Sequence, residues 1–121
     1  MKWHHDLDMW KRAIGLVAKI YKVTDGFPKH ELYGLSQQMR RSAVSIPSNM
    51  AEGAGRKSAK EFLQFLSISQ GSLAELETQL IIAEKLGYCS GVEATVQELD
   101  EISKMTNGLY KAIQAKQKKS I

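Results

Sequence analysis

The chain has 121 residues, of which 43% are hydrophobic and 25% charged, which predicts one folded domain rather than a disordered chain. Its single cysteine, Cys89, cannot form an internal disulfide, and no apolar run approaches the roughly 18 residues of a membrane span. Because the start of the sequence also lacks the apolar segment of a secretory signal, we expect a cytoplasmic protein that does not enter membranes.

The charges are segregated along the chain. Residues 1–60 hold eleven Lys/Arg and five Asp/Glu, a net charge of +6, whereas residues 61–101 hold one and eight, a net charge of −7. Residues 102–121 add five lysines and no acid. Two interpretations remain open: a basic surface for a polyanion, or basic and acidic helices that neutralise each other within or between chains.

The first predicted helix spans about residues 6–24 and carries two apolar stripes, about 120° apart at ~100° per residue. The first stripe consists of Leu7, Trp10, Ile14, Val17 and Tyr21. The second consists of Met9, Ala13, Leu16, Ile20 and Val23. A single bundle core requires only one apolar stripe from each helix, so this helix has one stripe in excess.

The second predicted helix spans about residues 30–53 and contains Pro47. A helix that restarts at Pro47 would have Ile46 as its N-cap, and isoleucine is a poor cap. The apolar spacing also continues from Met39 to Met50 without a slip. We therefore favour one kinked helix that ends at the Gly53-Ala-Gly55 turn, with Ser42 bonded to the backbone that the proline frees.

The third helix is predicted over about 58–86 and the fourth over about 91–116, each opened by a capping box, Ser58 with Glu61 and Ser90 with Glu93. Gly87 is placed to end the third helix. No segment alternates as a strand would. The fold class is therefore all-α: an antiparallel up-down-up-down four-helix bundle with a proline-kinked second helix, in a single domain over residues 1–121.

Two helices carry small or apolar residues on a second face, which is unusual for a solvated surface. On the second helix this face holds Arg41, Ser45, Ser48 and Glu52. On the third it holds Leu63, Ser67, Gln70 and Ala74, continued by Thr78 and Ile81. Together with the double stripe of the first helix, these faces predict a homo-oligomer.

Two long segments carry a resemblance to a known family. They are ELYGLSQQMRRSAVSIPSNMAEGAGR and EFLQFLSISQGSLAELETQLIIAEKLGY. They resemble the four-helix-bundle family encoded by intervening sequences in bacterial 23S ribosomal RNA genes, also called S23 ribosomal protein. The resemblance implies a homopentamer. It also implies a fold similar to the accessory variability protein of diversity-generating retroelements, whose pentamer meets a polymerase-like partner, a reverse transcriptase, and nucleic acid.

The sequence offers little for catalysis, and we expect no enzyme, no cofactor and no metal site. Adjacent histidines such as His4 and His5 point in different directions, and no Cys or His partner lies at the i, i+4 spacing of a helix. Cys89 has no neighbouring cation in sequence that would activate a nucleophile. The rival interpretation is a small hydrolase that uses His30 or the His4/His5 cluster.

The best functional candidates are basic residues, which predict weak, sequence-tolerant binding to RNA or DNA. They cluster near the proline and the following turn, and again in the tail: Arg40, Arg41, Arg56, Lys57, Lys60, Lys116, Lys118 and Lys119. Against this stands the pairing of Arg40 or Arg41 with Glu52 or Glu75 across helices. The alternative function is a structural or protein-protein scaffold that binds no nucleic acid.

Overall fold

The computed structural model describes residues 7–119, with side chains through residue 118. Within that range it contains no strand, and four helices pack into a bundle, which confirms the predicted all-α fold. The helices are α1 (Asp8–Asp25), α2 (Leu35–Ala54), α3 (Ala59–Lys85) and α4 (Glu93–Lys119), with a short 3-10 helix at Lys29–Glu31. Helix α2 packs on α1 and α3, and α4 packs on α3 and α1.

The core is formed by one apolar face from each helix. Its largest fully buried side chains are Leu16, Ile20, Met39, Ile46, Met50, Leu66, Leu76, Leu80, Leu99 and Ile102. In α1 the stripe that begins at Met9 enters this core, whereas Ile14 and Tyr21 of the other stripe remain 46% and 43% exposed. The double stripe of α1 therefore leaves apolar surface outside the bundle.

Helix α2 begins at Leu35, later than the predicted residue 30. Residues 29–31 form a separate 3-10 turn, and Gly34 takes a non-helical conformation with ψ near −115°. The Glu31 carboxylate accepts a hydrogen bond from the Leu35 amide at 3.1 Å and so satisfies a free donor at the helix start. A Cβ at Gly34 would lie 2.6 Å from that carboxylate, which explains the glycine.

Helix α2 continues through Pro47, so the alternative with Ile46 as an N-cap is wrong. Ser42 donates to Glu75 on α3 at 2.6 Å, not to the freed backbone as expected, because it faces the neighbouring helix. Other side chains approach the backbone beside the proline: Asn49 donates to the Ser45 carbonyl at 2.8 Å, and Ser69 to that of Ile46 at 2.9 Å. The bend at Pro47 stays a prediction.

The α2–α3 contact is close near the end of α2. A Cβ at Gly53 would lie 2.8 Å from Cβ of Phe65 and 2.9 Å from Cδ1 of Phe62. Gly53 therefore does more than end the helix, which continues to Ala54. It permits the two backbones to approach.

The ends of α3 follow from its sequence. Ser58 Oγ accepts a hydrogen bond from the Glu61 amide at 3.1 Å, as the capping box predicts. At the other end Tyr88 N donates to Ala83 O and Gly87 N to Glu84 O, with Gly87 at φ +77°. These two bonds form a Schellman motif. Helix α4 begins at Glu93 rather than residue 91, because Gly91 has φ +63° and lies outside the helical region.

Candidate nucleic-acid interface and assembly surfaces

Arg40 is held against the end of α1. Its Nε donates to Thr24 Oγ1 at 2.7 Å and its Nη2 to Asp25 Oδ1 at 2.9 Å. Its guanidinium also lies 4.7 Å from the centre of the Tyr21 ring. The structure therefore brings Arg40 to α1, and little of its charge remains for a phosphate.

Arg56 is likewise engaged within the chain. It lies 3.6 Å from the Glu52 carboxylate and 3.9 Å from that of Glu61, with its guanidinium over the Phe65 ring. The expected pairing of Glu52 or Glu75 with Arg40 or Arg41 is wrong. Glu52 in the last turn of α2 pairs with Arg56, four residues later in the α2–α3 turn, and Glu75 accepts from Ser42.

A third arginine, which we did not single out in the sequence, links the first and last helices. Arg12 on α1 binds Glu98 on α4 through two hydrogen bonds of 2.7 and 3.0 Å, and it also contacts Glu101. The hydrogen bond from Arg12 holds the pKa of Glu98 below its usual range. Basic and acidic segments therefore neutralise each other here within one chain.

Several predicted phosphate contacts remain exposed. Arg41, Lys57, Lys60 and Lys118 are exposed, and none of the four forms an ion pair or hydrogen bond with the described part of the chain. Lys116 is also exposed, whereas the side chain of Lys119 lies outside the described residues. Arg41, Lys57, Lys60 and Lys118 are therefore available to a partner.

One end of the bundle carries Lys57 of the α2–α3 turn, Lys60 of the first turn of α3 and the lysines of the α4 tail. Gln70 on α3 exchanges two hydrogen bonds with Ser103 on α4, at 3.2 and 2.9 Å. Further along α3, Ile81 shares a groove with Val92, so the contacts run in opposite order along the two helices. Gln70 lies eleven residues, or about 16 Å of helix, after the start of α3. Because α4 runs in the opposite direction, the same distance past Ser103 leads to the α4 tail. The start of α3 and the α4 tail therefore lie toward the same end of the bundle.

Arg41 lies apart from those lysines, in a groove on the outside of α1 and α2. The groove has a volume of about 790 Å³ and includes Tyr33, which is 85% exposed. A second groove of about 420 Å³ runs between Ile14 of α1 and Val44 of α2. Val44 and Ser48 border both grooves, which makes this face of the bundle a continuous surface.

The predicted oligomer-interface residues divide into two groups. Ser48, Glu52, Ser67 and Ala74 are exposed, as is Arg41, and their role in an interface stays a prediction. The other three are buried or half-buried and contact the chain itself. Leu63 is buried, Gln70 bonds to Ser103, and Ser45 accepts hydrogen bonds from Ser72 and Asn49. These three have less surface to offer a second copy.

A polar cluster joins the two loops at the other end of the bundle. Tyr88 donates to Glu31 at 2.8 Å, and His30 Nε2 lies 3.5 Å from the same hydroxyl. This hydrogen bond lowers the pKa of Glu31 and raises that of Tyr88, so neither group is prepared to accept or release a proton near neutral pH. Sequence reasoning missed the cluster, because Glu31 and Tyr88 are 57 residues apart.

Other candidate chemistry has little support in the geometry. Burial raises the pKa of the half-buried Cys89 thiol, which keeps the thiol protonated and weakly nucleophilic. Within residues 7–119 no three His, Cys, Asp or Glu side chains are grouped to hold a metal ion. His4 and His5 lie outside the described residues. The same part of the chain contains no helix long and apolar enough to cross a membrane.

Comparison with known proteins identifies the family. A crystal structure of a protein of unknown function from the S23 ribosomal protein family of Bacteroides thetaiotaomicron is similar, with a TM-score of 0.79 and 21% sequence identity. The match covers 85% of this chain and 95% of that one, and it supports the fold. No curated protein matches the sequence. The family described as 23S rRNA-intervening sequence protein matches residues 5–108. The chain therefore belongs to the 23S rRNA-intervening sequence protein family.

Proposed function

We propose that this protein is a non-enzymatic, self-associating helical bundle that binds RNA or DNA weakly and with little sequence preference. The observation that carries the proposal is a set of lysines toward one end of the bundle, Lys57, Lys60 and Lys118, which make no ion pair or hydrogen bond within the described part of the chain. Cations without an internal partner are the groups that can neutralise phosphates. A tract of lysines without shaped base-reading pockets gives affinity rather than sequence recognition.

Self-association is supported by apolar surface that the bundle does not cover. Large side chains that remain more than 40% exposed include Ile14 on α1, Val44 on α2 and Ile81 on α3. Surfaces of this kind mark protein contacts. The family resemblance adds the pentamer as the expected assembly, and a ring would repeat the lysine end several times, so weak contacts would gain affinity by multivalency.

Charge reversal tests the nucleic-acid part. The double variant Lys57→Glu/Lys60→Glu should weaken binding of a labelled single-stranded RNA by about tenfold or more at low salt. The matched control is Lys29→Glu/Lys85→Glu, which changes net charge equally but alters exposed lysines next to the loops at the other end. Equal losses for the two variants would contradict a localised site, because they would reflect net charge alone.

A second candidate, a scaffold for protein partners such as a polymerase-like protein, is favoured by the internal pairing of Arg12, Arg40 and Arg56. This pairing reduces the positive field that a polyanion would meet. If the assembled wild-type protein retains no RNA or duplex DNA at low salt, the scaffold is the better description. A titration of RNA or duplex DNA with the assembled wild-type protein at low salt therefore distinguishes the two candidate functions.

A further inference from the structure

An acidic groove lies between α3 and α4. It has a volume of about 460 Å³, and its apolar floor includes Ile81 and Val96. Four acids border it, two from each helix: Glu77, Glu84, Glu93 and Asp100. Only Asp100 has an ion-pair partner among the described residues, Lys104 at 3.6 Å on the same exposed helix face. The groove is apolar at its base and negative at its rim, which suits an apolar helix ridge flanked by cations.

The same chain presents such a ridge on α1. Ile14 and Ala18 lie one turn apart on the exposed side of the helix. Lys11 precedes Ile14 by three residues and Lys22 follows Ala18 by four, so helical geometry places both lysines beside the ridge. Both are exposed and make no ion pair or hydrogen bond within residues 7–119.

We propose that the α1 ridge of one copy lies in the acidic groove of a second copy. This inference rests on the self-association proposed above and names the two surfaces that meet. Ile14 and Ala18 would cover Ile81 and Val96, while Lys11 and Lys22 would approach the acids at the rim. Opposite charges around an apolar centre fix the orientation of such a contact more than they add affinity.

The proposed contact joins two different surfaces, so it is heterologous. Each copy offers both a ridge and a groove, so the contacts continue from copy to copy and form a ring when the rotation between neighbouring copies closes. The contact leaves Lys57, Lys60 and Lys118 uncovered, which keeps assembly and nucleic-acid binding on separate surfaces.

Three variants test the contact through the mass measured by light scattering at micromolar concentration and low salt. Lys11→Glu/Lys22→Glu makes ridge and groove both negative. Glu77→Lys/Glu84→Lys replaces both acids on the α3 side of the rim with lysines, which face the ridge lysines. Each should weaken association by about tenfold or more, because like charges then face each other. In the chain with all four substitutions, ridge glutamates face lysines on the α3 side of the groove, and this chain should recover the wild-type mass.

The control is Lys57→Glu/Lys60→Glu, which matches the charge change of the ridge variant and should keep the wild-type mass. Circular dichroism checks that each variant is folded. A monomeric wild-type protein would overturn the proposed self-association itself. A wild-type oligomer whose mass resists both double reversals, or a fourfold variant that is folded yet stays dissociated, would overturn this contact alone. A last outcome concerns an unrelated basic amphipathic peptide. If the mass of every variant equals that of the wild type, and only the groove variant loses binding to this peptide, the groove binds another protein and the proposed contact is overturned.

Discussion

Arg12 and Glu98 form a two-bond ion pair between α1 and α4, with Nε–Oε1 and Nη2–Oε2 separations of 2.7 and 3.0 Å. The two residues are 86 positions apart and belong to segments of opposite net charge. The pair connects the first and last helices of the bundle. It also explains why the basic character of α1 is smaller than its sequence suggests.

Replacing Glu98 should cost stability at neutral pH. Glu98→Gln keeps the shape of the side chain but removes its charge, so we expect the free energy of unfolding to fall by about 0.5–1 kcal/mol. The loss is modest because both side chains are about one-third exposed, and Glu101 still contacts Arg12. Urea unfolding of both proteins at neutral pH measures the difference.

The same comparison should depend on pH. Arg12 lowers the pKa of Glu98 in the folded protein below the unfolded value of about 4.3, so the pair stabilises the fold fully above that pH. The stabilisation is lost as pH falls through the lower folded pKa. The stability difference between wild type and Glu98→Gln should therefore be constant near neutrality and shrink below about pH 4. A difference that persists in acid would contradict the ion pair as its cause.

Adding a methyl group at Gly53 should destabilise the bundle. Alanine favours helices, but here its Cβ would lie within 3 Å of Phe62 and Phe65, so we expect a loss of about 1–3 kcal/mol. Gly108→Ala in α4 is the matched control, because no atom outside its chain neighbours and the nearby α4 backbone lies within 4 Å of its Cβ position. That variant should gain up to about 1 kcal/mol from helix propensity. Thermal unfolding of both variants separates packing from propensity, and equal effects would be inconsistent with the close approach of α2 and α3.

Tyr88→Phe should loosen the start of α2. The substitution removes the hydroxyl that binds Glu31, whose other carboxylate oxygen accepts from the Leu35 amide. We expect faster hydrogen exchange at Leu35, because the carboxylate then loses one of its two anchors. Tyr33→Phe provides the control, since Tyr33 is 85% exposed and has no hydrogen bond within the described chain. Unchanged exchange in Tyr88→Phe would show that the hydroxyl does not order this helix end.

Pro47→Ala tests the role of the proline in α2. The variant restores a backbone donor inside a continuous helix, so the bundle should remain folded and the monomer could gain stability. If the proline bends α2 into the shape that the assembly needs, the variant should also lower the oligomer mass. Unchanged mass together with unchanged packing in a crystal structure of the variant would refute that role.

Much of the fold follows from local sequence. The periodicity of α3 and the Ser58 capping box predict that helix and its start, and Gly87 predicts its end. These features succeed because caps and amphipathic spacing act over a few residues. The start of α2 was predicted too early because it depends on contacts between residues that are distant in sequence. Gly34 and the Glu31 carboxylate set the start of α2, and the distant Tyr88 hydroxyl holds that carboxylate in place.

The candidate site was less predictable than the fold. Sequence identifies Arg40 and Arg56 as cations, but not that Asp25 and Glu61 lie beside them. Lys57 and Lys60 could be recognised, since Lys57 lies in the exposed turn before α3 and Lys60 in the exposed first turn of that helix. Pairing between distant segments depends on which helix faces meet, and one sequence contains no direct signal for that.

The most direct test of the proposed function is a titration of a labelled single-stranded RNA with the assembled wild-type protein at several salt concentrations. Phosphate neutralisation by the lysine end predicts measurable binding at low salt and a logarithm of the association constant that falls linearly with the logarithm of salt. Lys57→Glu/Lys60→Glu should reduce that slope by about 1 or more, whatever the RNA sequence. Absence of binding at low salt, or an affinity that is independent of salt, would contradict the nucleic-acid function.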